Sequence, residues 1–173
     1  EINRSDGAEL EFDRSKGVSL SWGGQVETLQ VQYGMSYSGA DINRYTSASD
    51  TKFSGQGELE TTRISLEVTN NEDFPDLGKN WSNYWGMGVG FQRSTISDLT
   101  IPGEINVDAD SKNFTYQFLA GIEYLLSDHQ SLSLDYRFLA SREQTFQNQT
   151  TDKQENWDGL QEHSFGLKYT WRY

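Results

Sequence analysis

Apolar and polar residues alternate with a period of two along most of this chain. The segment LQVQYGMSY, residues 29–37, places an apolar side chain at every odd position and a polar or small residue at every even position. A β-strand turns successive side chains to opposite faces of its sheet, so the segment predicts a strand with one apolar and one polar face. Helical periodicity is nearly absent from the chain, and we therefore predict an all-β protein.

The alternation recurs and predicts eight antiparallel strands in one domain that spans residues 1–173. Polar segments between the strands predict their connections. Long loops are predicted at 39–54, 97–111 and 147–158, all at one end of an up-and-down sheet, and a short connection at 14–17 joins the first two strands at that end. The other end has tight turns at 23–27 and 127–130 and a longer one at 70–82. The strands lie at about 8–13, 18–22, 29–37, 55–69, 84–92, 114–124, 132–138 and 163–173.

Composition and charge exclude several functions. The chain has 14 Lys and Arg against 26 Asp and Glu, a net charge of -12, which disfavours nucleic acid as a partner. There is no cysteine, so disulfides and thiolate metal sites are excluded. No apolar run approaches the roughly 18 residues of a membrane helix. The opening EINRSDGAEL lacks the apolar core of a signal peptide, so for an exported protein we expect the numbering to begin after cleavage.

The low mean hydropathy of -0.75 and the high aromatic content of 13% fit a membrane barrel, whose strands turn only one face to lipid. A soluble all-β protein fits them too, but two patterns favour the membrane. Alternation extends over about ten residues on several strands, close to the roughly 9–11 that cross the hydrocarbon core. Aromatic residues collect near one end of their strands, where Trp and Tyr lie at the headgroup level. The predicted interface residues are Trp22, Trp85, Tyr124, Trp171 and Tyr173, together with Trp81 and Tyr84.

Acidic and basic residues are balanced on the polar faces of the strands, which predicts ion pairs inside the barrel. We expect Glu123 and Asp135 to lie nearly opposite each other across the turn at 127–130, with a cation between them that Arg137, Lys168 or Arg172 supplies. The first strand's Glu9 and Glu11 are expected to meet Lys168 and Arg172 of the last strand where the barrel closes. The acids of this predicted network are Glu9, Glu11, Asp13, Glu67, Glu123 and Asp135, and its bases are Arg63, Arg137, Lys168 and Arg172.

An eight-stranded barrel is only wide enough for side chains to fill its interior, so an open pore is not expected. Three glycines, Gly86, Gly88 and Gly90, lie on the inward face of one predicted strand. They either make room for bulky neighbours such as Arg137 or relieve strand curvature.

The closing strand resembles the C-terminal signature of Gram-negative outer-membrane proteins. Phe165, Leu167, Tyr169, Trp171 and Tyr173 carry this likeness. Residues 118–138, FLAGIEYLLSDHQSLSLDYRF, resemble the strand–turn–strand repeat of OmpA-like and OmpX-like barrels, and 16–37 is similar in layout to the second hairpin of NspA and opacity-type barrels.

The resemblance implies an eight-stranded antiparallel up-and-down transmembrane β-barrel in the Gram-negative outer membrane. Its surroundings would be the lipid bilayer and lipopolysaccharide, and the assembly machinery would recognise the C-terminal strand. What it implies about function is a structural or surface-interaction role, with no particular activity.

Few residues point to catalysis or to metal binding. His163 and Ser164 are neighbours in one strand and point to opposite faces, so they cannot form a nucleophile–base hydrogen bond, and we do not expect an enzyme. Asp108 and Asp110 are weak candidate calcium ligands, because their loop lacks the glycine and the final glutamate of a calcium-binding hand. No cofactor is predicted.

The predicted function therefore resides in loops 39–54, 97–111 and 147–158, as adhesion, binding of a protein partner or envelope integrity. Two alternatives stay open. One is an outer-membrane enzyme that modifies lipid A, and the other is a soluble lipocalin-like barrel that binds a small apolar ligand. A protein that is monodisperse without detergent would contradict the membrane interpretation.

Overall fold

The computed structural model describes residues 2–3, 9–46, 51–54, 56–73, 78–100, 107–148 and 154–172. The described residues form strands, turns and short connections, and none of them forms a helix able to span a membrane. The predicted all-β, antiparallel, up-and-down architecture is confirmed. The strands are β1 (Ile2–Asn3), β2 (Glu9–Phe12), β3 (Lys16–Val26), β4 (Leu29–Thr46), β5 (Lys52–Ser54), β6 (Gln56–Asp73), β7 (Trp81–Thr100), β8 (Val107–Ser127), β9 (Gln130–Ser141), β10 (Gln144–Asn148), β11 (Gln154–Trp157) and β12 (Gln161–Trp171).

The principal sheet has the order β3-β4-β6-β7-β8-β9-β12, and each strand is antiparallel to its neighbours. β2 and β3 lie end to end along β4, and the amide of Asp13 donates to the Asp41 carbonyl at 2.8 Å between them. The prediction of a reversing connection at 14–17 is therefore wrong. The first two predicted strands form one long strand, and the described sheet has seven long strands with the short β1 beside β2.

The described parts of the three predicted long loops are largely β-structure. β4 continues to Thr46 and pairs with β5, β7 pairs with β8 as far as Leu99 and Val107, and β10 pairs with β11. These segments therefore extend the strand pairs at one end of the sheet, and we call this end the hairpin end. They account for much of 39–54, 97–111 and 147–158. The tight connections Glu27–Thr28 and Asp128–His129 lie at the opposite end, the turn end, because they join the other ends of the same strands.

One face of the sheet is apolar and exposed, and the other is polar and buried. Met87 and Phe91 of β7 are 66% and 63% exposed, whereas Glu67 and Gln92 are only 4% and 2% exposed. The edge strand β3 differs, because it is exposed on both faces. Lys168 of β12 contacts Gln32 of β4, although four strands separate β12 from β4 in the sheet. The sheet therefore curls into a half-barrel around its buried face.

Both faces change character toward the hairpin end. The buried residues there are mainly apolar and include Leu10, Ala40, Ile42, Leu59, Ile96 and Ala109, with Thr46 as a polar exception. Outward positions become charged, as at Glu58 and Arg93. The exposed apolar surface is thus a band that stops before the hairpins, and the apolar cluster beneath the hairpins resembles the core of a water-exposed sheet.

The half-barrel has two free edges, β3 and β12. Among the described residues, β3 pairs only with β4 and β12 only with β9. Six antiparallel steps separate the two edge strands, so they run in the same direction. Side chains from both edges, including Ser21 and Lys168, line a common cavity. The edges therefore face each other without forming a hydrogen-bonded ladder.

Candidate functional site: charged groups of the buried face

Arg172 and Glu123 form the shortest ion pair on the buried face. Arg172 Nη2 donates to both carboxylate oxygens of Glu123, at 2.7 and 2.8 Å. Ser131 Oγ donates to Glu123 Oε1 at 2.6 Å and accepts a bond from Arg172 Nη1 at 3.3 Å. The Glu123 side chain is 7% exposed. This group ties β12 to β8, across the intervening β9, by hydrogen bonds that satisfy a buried charge.

A second cluster surrounds Glu67. Its Oε1 accepts from Gln117 Nε2 at 2.7 Å and from Ser65 Oγ at 2.9 Å, and Arg137 Nη1 lies 3.3 Å away. Arg137 also donates to Gln117 Oε1 at 3.3 Å. These contacts connect β6, β8 and β9, so the Glu67 carboxylate is held by one cation and two neutral donors.

Three other predicted network residues line the cavities between β3 and β12. Lys168 Nζ donates to Gln32 Oε1 at 3.2 Å. Within the described part of the chain, Arg63 Nε and Nη1 and Asp135 Oδ1 are buried without a hydrogen-bond partner. Arg63 and Asp135 both line a cavity between β3 and β12 that also reaches Ser164. Arg63 and Asp135 thus border the place where the sheet does not close, whereas Asn71, Tyr84 and Gln92, which also carry a buried oxygen without a partner in the described part of the chain, do not line this cavity.

The structure corrects two predicted contacts and does not describe a third. Glu11 does not meet the last strand; it pairs with Arg44 at 2.8 Å, because β2 lies on the hairpin end of β4. The side chain of Glu9 is outside the described side chains. Glu123 faces Ser133, so Asp135 is its diagonal neighbour and is not opposite it.

The glycines of β7 leave room for other neighbours than Arg137, the expected one. A Cβ on Gly88 would lie 2.7 Å from Gln117 Nε2, and one on Gly86 would collide with the Val68 carbonyl. The room beside Gly88 is therefore used by Gln117 and not by Arg137.

Tyr84 was expected at the membrane interface, but its side chain is buried, 8% exposed. Its ring lies over Gly121, where a Cβ would come within 2.5 Å of Tyr84 Cζ. Tyr84 has the same parity along β7 as Gly86 and Gly88, so its burial follows from the strand register.

The remaining interface aromatics lie on the exposed face. Trp85, Tyr124 and Trp171 are 49%, 36% and 60% exposed and lie toward the turn end, where Trp81 packs on Tyr124 at 4.9 Å between ring centroids. Trp22 was placed near a strand end, but it lies well inside β3 and stacks on Tyr33. Tyr173 lies outside the described residues.

The histidine considered for catalysis and one of the two aspartates considered for calcium binding contact neighbouring side chains. His163 Nδ1 lies 2.8 Å from the Tyr136 hydroxyl, and its ring packs against Phe138 on the exposed face. Asp110 pairs with Arg93 at 3.3 Å, and the Asp108 side chain is outside the described ones. The described residues contain no group of three or more His, Asp or Glu side chains that could hold a metal ion.

Sequence reasoning missed the neutral partners of the network. Gln32, Gln117 and Ser131 hold charged groups on the buried face, and their even or odd position within each strand is the signal that assigns them to it. Which charge each one meets depends on strand order and curvature, which the local pattern does not contain.

Comparison of the chain with models of known protein families, with curated proteins and with solved structures finds no match. The proposed function therefore rests on the geometry of the two faces.

Proposed function

We propose that this protein is a small integral outer-membrane barrel of the OmpA-like and OmpX-like kind, with a structural or surface-interaction role. The observation that carries the proposal is the exposed apolar band opposite a buried face of hydrogen-bonded charges. In water such a band would be an unusually large apolar patch. In a bilayer it is the expected lipid contact.

The size of the band supports this environment. Its outward apolar positions run from Leu29 to Tyr37 on β4 and from Phe114 to Tyr124 on β8. These stretches match the roughly 9–11 residues with which a tilted strand crosses the hydrocarbon core. Charged outward residues follow within a few positions, at Asp41 on β4 and Lys112 on β8, as expected where strands enter water.

The hairpin extensions are the proposed interaction surface. They stand beyond the apolar band, and the described part of this surface carries ion pairs and hydrogen bonds between neighbouring segments, including Arg44 with Glu11 and Asn43 with Asp13. A rigid β-extension presents side chains with less ordering cost than a flexible loop. We therefore expect a protein partner, where there is one, to bind this end, and the half-barrel to act as the membrane anchor.

One pair of substitutions on β7 tests membrane insertion. Met87 and Thr95 project from the same face of the same strand, Met87 in the band and 66% exposed, Thr95 beyond the band. Met87→Arg is expected to cost about 2–4 kcal/mol of unfolding free energy in lipid vesicles, whereas Thr95→Arg changes it by less than about 0.5 kcal/mol. Equal, small effects would contradict insertion and favour the soluble lipocalin-like alternative.

The lipid A-modifying alternative has a separate test. His163→Ala removes the imidazole that contacts Tyr136. Mass spectrometry of lipid A from cells that express the protein or this variant is expected to show no difference. A modified lipid A that appears with the protein and disappears with the variant would establish the enzyme instead.

A further inference from the structure

A gap separates the two free edges of the half-barrel, β3 and β12. Their Cα atoms approach within 8 Å at isolated points at most, whereas opposed Cα atoms of paired strands lie about 4.5–5.5 Å apart along the whole ladder. Lys168 on β12 nevertheless reaches Gln32 on β4, the strand beyond β3, at 3.2 Å. The gap is therefore wider than one strand spacing and narrow enough for two side chains to bridge. One additional strand fits these limits, because it would place β3 and β12 about 10 Å apart.

Both edges of the gap carry unused backbone hydrogen-bonding groups. In the part of the chain that the structure describes, β3 pairs only with β4 and β12 only with β9. The N–H and C=O of every second residue of each edge strand therefore point into the gap. Another polypeptide backbone matches such a row of alternating donors and acceptors at the strand repeat. A lipid or a small solute would leave most of these groups without partners.

The direction of an additional strand follows from the strands already present. β3 and β12 run in the same direction, so one strand can be antiparallel to both. β1 shows that this side of the sheet accepts an antiparallel strand, because Ile2 pairs with Leu10 of β2 on the side of β2 away from β4. β2 and β3 lie end to end along β4, so that side continues into the free edge of β3.

The inward side of the gap is open and polar. A Cβ on Gly166 of β12 would meet no atom within 4 Å, so the space beside this residue is empty. Arg63 is only 7% exposed and lines the gap, and its Nε and Nη1 have no partner among the described residues. Asp135 Oδ1 lines the same cavity and is likewise without a partner there. Arg63 and Asp135 thus present an unused donor and an unused acceptor to an occupant of the gap.

The charges around this cavity balance, because Arg63 and Arg137 face Asp135 and Glu162. An occupant with a net charge would disturb this balance, whereas amide and hydroxyl side chains both donate and accept hydrogen bonds. The inward residues of a strand in the gap are therefore expected to be neutral and polar.

The outward side of the gap is apolar. Phe165, Val18 and Leu167 flank it and are the most exposed large apolar side chains of the described residues, at 78%, 75% and 74%. Each of them belongs to a strand with a neighbour on one side only. Apolar outward residues on an added strand would cover the open flank of all three, as cross-strand neighbours do elsewhere in the sheet.

We propose that the gap binds one extended peptide segment of a partner protein, antiparallel to β3 and β12, with apolar side chains outward and neutral polar side chains toward Arg63 and Asp135. Its backbone completes both ladders, and its inward side chains supply partners to the two unsatisfied groups. A second copy of this chain fits less well, because each of its described long strands is already paired on at least one side and could join only one edge. The inference goes beyond the proposed function and does not depend on membrane insertion.

A peptide copied from β4 provides the probe. Residues 29–37, LQVQYGMSY, alternate apolar residues with Gln, Gly and Ser, and this segment is antiparallel to β3 in the sheet. We expect one peptide to bind each protein molecule in detergent and to slow hydrogen exchange at the β3 amides that face the gap by at least about tenfold. The control peptide carries Gly34→Pro, which removes an N–H and cannot form part of a strand paired on both sides. Equal slowing by the two peptides, or no slowing by either, would overturn the proposal.

Cysteine pairs test whether the two edges close on each other instead. The sequence contains no cysteine, so each engineered pair reports one chosen distance. Ser19→Cys with Ser36→Cys joins opposed residues of β3 and β4 and is expected to form a disulfide, which needs Cα atoms about 4.4–6.8 Å apart. Ser19→Cys with Ser164→Cys spans the gap and is expected to stay reduced when the peptide is bound.

Two results of these experiments would contradict the proposed occupant. An efficient disulfide between residues 19 and 164 in the presence of the peptide would show that β3 and β12 pair directly. Native mass spectrometry that finds a dimer of the chain and no bound peptide would assign the edges to a second copy. A one-to-one complex with the peptide, absent with the Gly34→Pro peptide, supports the proposal whether or not the protein inserts into lipid vesicles.

Discussion

The Arg172–Glu123 pair allows the strongest prediction about stability. Arg172→Met keeps the length of the side chain and removes its charge, so the Glu123 carboxylate, 7% exposed, loses its cation. Leaving a buried charge unpaired costs about 3–5 kcal/mol. Glu123 keeps the 2.6 Å bond from Ser131, and the Arg172 side chain is itself 28% exposed. Both facts favour the low end of this range, so we expect Arg172→Met to lower the free energy of unfolding by about 3 kcal/mol.

A double-mutant cycle separates this effect from lost packing. Glu123→Gln alone is expected to cost about 1 kcal/mol, because a neutral amide still accepts from Ser131. With Arg172→Met the two together are expected to cost about 2 kcal/mol, less than the sum, which gives a coupling energy of about 2 kcal/mol. Urea unfolding in lipid vesicles, followed by Trp emission and by the heat-dependent gel shift, measures each value. If Arg172→Met lowers the free energy of unfolding by less than about 0.5 kcal/mol, the pair behaves as a solvent-exposed ion pair and the buried face is not shielded from water.

Arg137→Ala is expected to cost less than Arg172→Met, about 2 kcal/mol in the same unfolding assay, because Glu67 retains two neutral donors; an equal or larger loss would contradict this ranking. Gly121→Ala pushes a methyl group into the Tyr84 ring and is expected to cost about 1–3 kcal/mol, whereas Gly166→Ala, which meets no atom within 4 Å, is the neutral control; equal melting temperatures would refute the contact. Hydrogen exchange is expected to be fast at the alternate amides of β3 that face its free edge and slow throughout β7; equal protection would show that the edge is covered.

The faces of the strands could be predicted because side-chain parity is a local property. The alternation in β4 and β12 assigns Gln32, Lys168 and Arg172 to one face without knowledge of any partner. The same rule assigns Tyr84 to the buried face, and the preference of tyrosine for membrane interfaces gave the wrong expectation. At this position the register of the strand outweighs residue type, because turning Tyr84 outward would shift every residue of β7 to the other face.

The ion-pair partners could not be predicted because they depend on strand order and curvature. Glu11 pairs with Arg44 of the adjacent strand, while Arg172 reaches past β9 to Glu123. The numbers of acidic and basic residues predict that ion pairs exist, but several different pairings would have similar energies. The prediction of a turn at 14–17 was wrong for a related reason. The polar residues of this segment resemble a turn, but β4 is 18 residues long, and it pairs with β2 on the far side of the segment as well as with β3.

The two free edges run in the same direction because the sheet has seven long strands and not the predicted eight. Eight alternating strands would place antiparallel edges side by side, but joining the first two leaves seven long strands whose edges, β3 and β12, run in the same direction. Arg63 and Asp135 border this gap with buried polar atoms that have no partner among the described residues. A closed ladder would bring backbone and side chains within reach of both, since buried polar groups are normally satisfied. The free edges therefore leave Arg63 and Asp135 with buried polar atoms that no neighbour among the described residues satisfies.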